Sequence, residues 1–66
     1  MTTILTVATS AGDVELYETR EGYYITNPEG YRIGNLGCGA FKDLDHAVNV
    51  TSQVAATWEQ VADARG

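Results

Sequence analysis

Residues 41–64 constrain this chain more than any other stretch. Apolar or small side chains fall at Leu44, Ala47, Val48, Thr51, Val54, Ala55, Trp58, Val61 and Ala62. That is the i, i+3, i+4, i+7 spacing of one helical stripe. Asp45, His46, Asn49, Gln53, Gln60 and Asp63 take the opposite side, and Val50 alone breaks the pattern. Asp43 suits the N-cap, where a carboxylate accepts free backbone N–H groups. Asp45 and Arg65 complement the two ends of the helix dipole. The spacing predicts one helix from Asp43 to Ala64, with Phe41 packed under its first turn in the manner of a hydrophobic staple.

What precedes the helix reads as a sheet for it to cover. Thr2 to Thr9 is rich in β-branched residues, which favour a strand. A turn centred on Ala11-Gly12 sets Val7 against Leu16 and Leu5 against Glu18. Val14 to Thr19 alternates, Arg20-Glu21-Gly22 marks a second turn, and Tyr23 to Asn27 is a third strand. Asn27-Pro28-Glu29-Gly30 is the best-specified turn. Proline favours a type I turn there, and glycine suits the left-handed residue that follows. A three-residue loop then pairs Asn27 with Tyr31, Ile25 with Ile33, and Tyr23 with Asn35. Tyr24 falls across from Gly34, where a ring can cover a glycine. Tyr23, Ile25, Tyr31 and Ile33 are expected on the face toward the helix, and Tyr24, Thr26 and Arg32 on the other.

The architecture this predicts is α+β: a four-stranded antiparallel β-meander, then one long C-terminal helix on one face (ββββα). No internal repeat, linker or low-complexity tract interrupts it, so residues 1–66 are one domain. A chain of 66 residues buries only roughly 60% of its unfolded surface, and such scaffolds commonly rely on a disulfide, a metal or a partner. One cysteine, Cys38, and one histidine, His46, supply neither a disulfide nor a structural zinc site. The expectation is therefore no metal and no cofactor. A helix of about 30 Å overhangs strands of about 17–20 Å. Trp58 and Val61 near its C-terminus are thus candidate homodimer contacts.

Nine acidic residues against four basic ones give a net charge of −5. That argues against direct binding to nucleic acid or to an anionic membrane, both of which need Lys and Arg. No segment is long enough to span a membrane, and the N-terminus lacks the basic start and apolar run of an export signal. The expected location is the cytoplasm.

Chemistry-bearing motifs are sparse. Gly37-Cys38-Gly39 ahead of a helix lacks the Lys and Ser/Thr of a phosphate loop. A Cys38–His46 pair lacks an orienting group and an oxyanion site. No catalytic residue is assigned, and the chain does not read as an enzyme. The acids, however, cluster. Asp13, Glu15, Glu18 and Glu21 fall within nine positions, on one strand and its turns. With Tyr17 and Tyr24, both expected exposed, they form a strip of carboxylates and tyrosines suited to a Lys/Arg-lined groove.

In its 66-residue length, net acidity, strand-and-helix layout and the strip Glu15, Tyr17, Glu18, Glu21, Tyr24, the chain resembles the anti-CRISPR proteins of phages and mobile elements that act on type I systems. That resemblance implies a non-enzymatic inhibitor in the cytoplasm of a bacterial host. It implies binding to a basic, nucleic-acid-binding Cas subunit and a block of target-DNA recognition, with carboxylates standing where phosphates lie. The competing expectation is a self-associating phage structural or regulatory protein whose acidity serves only solubility.

Overall fold

A computed structural model describes residues 2–35 and 39–65. It has the expected α+β arrangement: β1 (Thr2–Thr9), β2 (Gly12–Thr19), β3 (Gly22–Thr26), β4 (Arg32–Ile33) and α1 (Leu44–Arg65). The strands form one antiparallel sheet in the order β1-β2-β3-β4. The helix packs across β1, β2 and β3 on one face.

The three hairpin turns are built alike. Thr9-Ser10-Ala11-Gly12, Thr19-Arg20-Glu21-Gly22 and Asn27-Pro28-Glu29-Gly30 each start with a side-chain oxygen and end in glycine. Thr9 Oγ1 accepts the Ala11 N–H, Thr19 Oγ1 the Glu21 N–H, and Asn27 Oδ1 the Glu29 N–H. Each of these bonds stabilises the turn locally. The glycines take φ of +128° at Gly12, +138° at Gly22 and +89° at Gly30, a conformation no described non-glycine residue adopts. At Gly22 space demands glycine as well: a Cβ would lie 2.5 Å from the Phe41 carbonyl oxygen.

The first turn lies one residue earlier than expected, centred on Ser10-Ala11. Val7 therefore pairs with Val14 and Leu5 with Leu16. A loop moved by one residue moves the pairing by two, so the side chains from Leu5 to Thr9 keep their faces. A bulge between Thr3 and Leu5 accommodates Ile4 as an extra residue. The third hairpin has the expected register, with Ile25 opposite Ile33 and the Asn27 N–H donating to the Tyr31 carbonyl at 2.9 Å. Beyond Ile33 the register expected for Asn35 fails. Asn35 bridges Gly39, and Phe41 returns to take the place beside Tyr23, exchanging two backbone hydrogen bonds of 2.8 Å. Phe41 is thus a fourth-strand surrogate as well as a buried side chain. Its ring meets His46 edge-on at 5.4 Å.

Val14, Leu16, Ile25, Phe41, Ala47 and Ala55 make the core, with Leu5, Val7, Tyr23, Ile33, Val48, Val50, Val54 and Trp58 half-buried around it. The fully buried line of the helix is small: Ala47, Thr51 and Ala55, spaced four apart. Small side chains let the helix backbone lie close to the sheet, and Leu16 and Ile25 fill the space that remains. Thr51 satisfies its buried hydroxyl by donating to the Ala47 carbonyl at 2.7 Å. Asp43 caps as expected, its Oδ1 accepting the Asp45 N–H at 3.1 Å.

Three expectations about individual side chains need correction. Tyr31 is 70% exposed, because the return strand is only two residues long and begins after it. Leu44 is exposed too, since the buried line starts one turn later, at Ala47. The overhang of the helix is smaller than expected. β1 and β2 have eight residues each, about 26 Å at a strand's rise, and reach under its C-terminal half. Trp58 is half-buried against the core, and Val61 is half-buried.

Candidate functional site

With the helix on one side, no other helix or strand among the described residues covers the second face of the sheet, the open face. Alternation along the strands places Asp13, Glu15 and Tyr17 of β2 on that face, with Tyr24 and Thr26 of β3 and Arg32 of β4. The cross-strand rows are fixed by register. Thr6, Glu15, Thr26 and Arg32 form one, and Thr3, Tyr17 and Tyr24 the next.

Arg32 leans diagonally from the first row over the second. Its Nε donates to Tyr17 Oη at 2.8 Å, and its guanidinium carbon sits 4.3 Å from the centre of the Tyr24 ring and 5.7 Å from that of Tyr17. The two tyrosine rings lie 6.2 Å apart. A guanidinium over a tyrosine face is held by the ring quadrupole. The hydrogen bond that Arg32 donates to Tyr17, followed by the electrostatic effect of Tyr17, raises the pKa of Arg32 above its ordinary value. Tyr24 also covers Gly34 as the hairpin reading expected: a Cβ there would lie 3.4 Å from the tyrosine Cε1 and 2.3 Å from the Gly39 carbonyl oxygen.

The expected strip is thereby divided. Glu15 and Tyr24 are half-buried on the open face. Tyr17 shares that face but is only 7% exposed, since Tyr24 and Arg32 close over it. Glu18 is not on this face. It pairs with Tyr23, two residues from Leu16, and so points to the helix side at the sheet end, where it is exposed. Glu21 lies in the second turn, its carboxylate 3.4 Å from the Thr19 hydroxyl, and its carbonyl accepts a hydrogen bond from Lys42 Nζ. Among the described residues, Asp13, Glu15 and Glu18 have no ion pair. Arg32 was the residue missed as a partner of the tyrosines. Its place diagonal to Tyr24 was legible from the third hairpin's register.

Two grooves flank the fold. One, of about 390 Å³, is lined by Ser10, Ala11, Glu29, Trp58, Ala62 and Arg65. The other, of about 320 Å³, is lined by Ile33, Gly34, Asn35, Phe41, His46 and Val50. Ser10, in the first groove, has its hydroxyl 3.1 Å from a Glu59 carboxylate oxygen. No group of three or more His, Cys, Asp or Glu could hold a metal among the described residues. The Cys38 thiol and the glycine-loop reading of Gly37-Cys38-Gly39 rest on positions that, except for Gly39, lie outside the described residues. Among the described residues, no helix is long and apolar enough to cross a membrane.

No protein-family model matches the chain, and no curated protein or solved structure is significantly similar to it.

Proposed function

We propose that the chain is a protein-binding inhibitor that docks on a basic, nucleic-acid-handling protein through its open sheet face. The observation that carries this reading is the pairing of unneutralised carboxylates, Asp13 and Glu15, with a fixed Tyr17–Arg32–Tyr24 cluster on that face. Aromatic and arginine side chains already held in place are the usual anchors of an interface, because little ordering remains to be done on binding. A chain of net charge −5 is steered toward a basic partner. By the resemblance to anti-CRISPR proteins, that partner is a Cas subunit of a type I complex in the bacterial cytoplasm. The chain acts there by occupying the place of target DNA rather than by catalysis.

The test is a binding titration with purified type I surveillance complex at low and high salt. Glu15→Lys is expected to slow association and lower affinity, with an effect that shrinks as salt rises. Glu18→Lys, on the other side of the sheet, is expected to change little. Equal binding by both variants and wild type removes the open face as the docking surface. No binding by the wild type removes the type I target and leaves the self-associating phage protein as the better reading.

A further inference from the structure

We infer that β1 is a self-pairing edge, and that two copies of this chain join antiparallel along Leu5–Thr9 into one eight-stranded sheet. The inference is independent of the partner proposed above.

The two edges of the sheet are finished differently. On the β4 side the strand is two residues long, and the chain then returns so that Phe41 pairs with Tyr23. On the β1 side, seven of the eight residues pair with β2, and their outward backbone groups meet no backbone partner among the described residues. Exposed edges in natural sheets are usually guarded by Lys, by Pro, by an inward charge or by a bulge. Thr2–Thr9 carries no charge and no proline, and the first charged residue of the chain is Asp13. Its one guard is the bulge at Ile4, which is 41% exposed. That bulge leaves Leu5–Thr9 regular.

Self-pairing is favoured over an alien strand on two grounds. Two copies of charge −5 repel across most of their surface, and β1 is the edge strand that carries no charge, whereas β4 carries Arg32. A basic segment, conversely, finds no carboxylate on β1 to recognise it. The regular stretch is centred on Val7, so a twofold axis there uses all five residues. Val7 then meets its counterpart, and Thr6 meets Ala8 of the second copy. Leu5 and Val7, half-buried on the helix side, gain cover. Antiparallel pairing preserves faces, so both helices lie on one side and both open faces on the other.

The test is sedimentation equilibrium over a dilution series for wild type, Thr6→Lys/Ala8→Lys and Trp58→Ala. Thr6 and Ala8 are exposed and pair within the chain with Glu15 and Asp13, so lysine there suits the monomer. In the dimer it sets lysine against lysine twice, which destabilises directly opposed pairs. The expected result is a concentration-dependent dimer in the wild type. The double-lysine variant should dissociate at least about tenfold more readily, with an unchanged melting curve at dilutions where both proteins are monomeric, and Trp58→Ala should dimerise as the wild type does. A wild type that stays monomeric at millimolar concentration overturns the inference. So does a double-lysine variant that dimerises normally, or a dimer lost only in Trp58→Ala. Should the double variant melt early, Thr6→Lys alone decides by the same readout.

Discussion

Glu59, late in the helix, accepts hydrogen bonds from both the backbone N–H and the hydroxyl of Ser10, the latter at 3.1 Å. One carboxylate thus fastens the last turns of α1 to the first hairpin turn. It makes the only side-chain hydrogen bonds between the helix body and a β-turn among the described residues, and it fixes where the C-terminal half of the helix lies.

Glu59→Ala is expected to lower stability by about 0.5–1.5 kcal/mol, the usual worth of such a bond at the surface. A thermal melt should show it as a fall of several degrees. Ser10→Ala should cost less, because the backbone N–H still donates. The double variant should be no worse than Glu59→Ala alone, as a shared interaction is lost only once.

Gly22 and Gly30 separate backbone strain from crowding. Both have positive φ, but only Gly22 has a neighbour in the way. Gly30→Ala should cost about 1–2 kcal/mol, the penalty for a side chain in the left-handed region. Gly22→Ala should cost clearly more, since the Phe41 backbone must also move. Equal urea midpoints for the two variants would contradict the close approach of Phe41.

Ala47 tests the close seat of the helix. It is fully buried in the core. Ala47→Leu is expected to destabilise by about 1–3 kcal/mol through overpacking. Leu44→Ala, at an exposed position one turn earlier, should stay within about 0.5 kcal/mol of wild type. Urea unfolding with an unchanged slope checks both.

Tyr17→Phe removes the acceptor for Arg32 Nε while keeping the ring. Stability should fall by about 1 kcal/mol or less, because the guanidinium stays exposed and can turn to water. The Nε–H of Arg32, hydrogen-bonded in the wild type, should exchange faster in the variant. An unchanged exchange rate would mean that Tyr24 alone holds the side chain.

Much of the fold could be read from residue order, and the failures have physical causes. The helix, its Asp43 cap and the third hairpin's register followed from spacing, a capping carboxylate and an Asn-Pro-x-Gly turn. The first turn was placed one residue late because Ala11-Gly12 looks like a two-residue loop, whereas Gly12 serves as the residue after the turn. The common build of the turns went unseen because Thr9 and Thr19 also read as ordinary strand residues. Their hydroxyls take part in the turns only once the chain reverses. The candidate site was half legible. Alternation put Glu15, Tyr17 and Tyr24 on one face, but Glu18 was grouped with them by nearness in sequence, which ignores the period of two. That Arg32 closes over Tyr17 depends on a diagonal contact between strands, which a list of facing pairs does not contain.

The sheet is wired almost entirely by near neighbours. No pairing between the named strands joins residues farther apart in sequence than Thr2 and Glu18. A chain emerging from its N-terminus can therefore zip the meander, each bend closing over four residues, before most of the helix has been made. Contacts this local favour rapid folding. The cost falls on the nascent state: until Ala47, Thr51 and Ala55 settle onto it, the wall of Val14, Leu16 and Ile25 stands open to water. The late step is thus the docking of one helix, and the rate at which it docks sets how long that apolar wall is available to anything else.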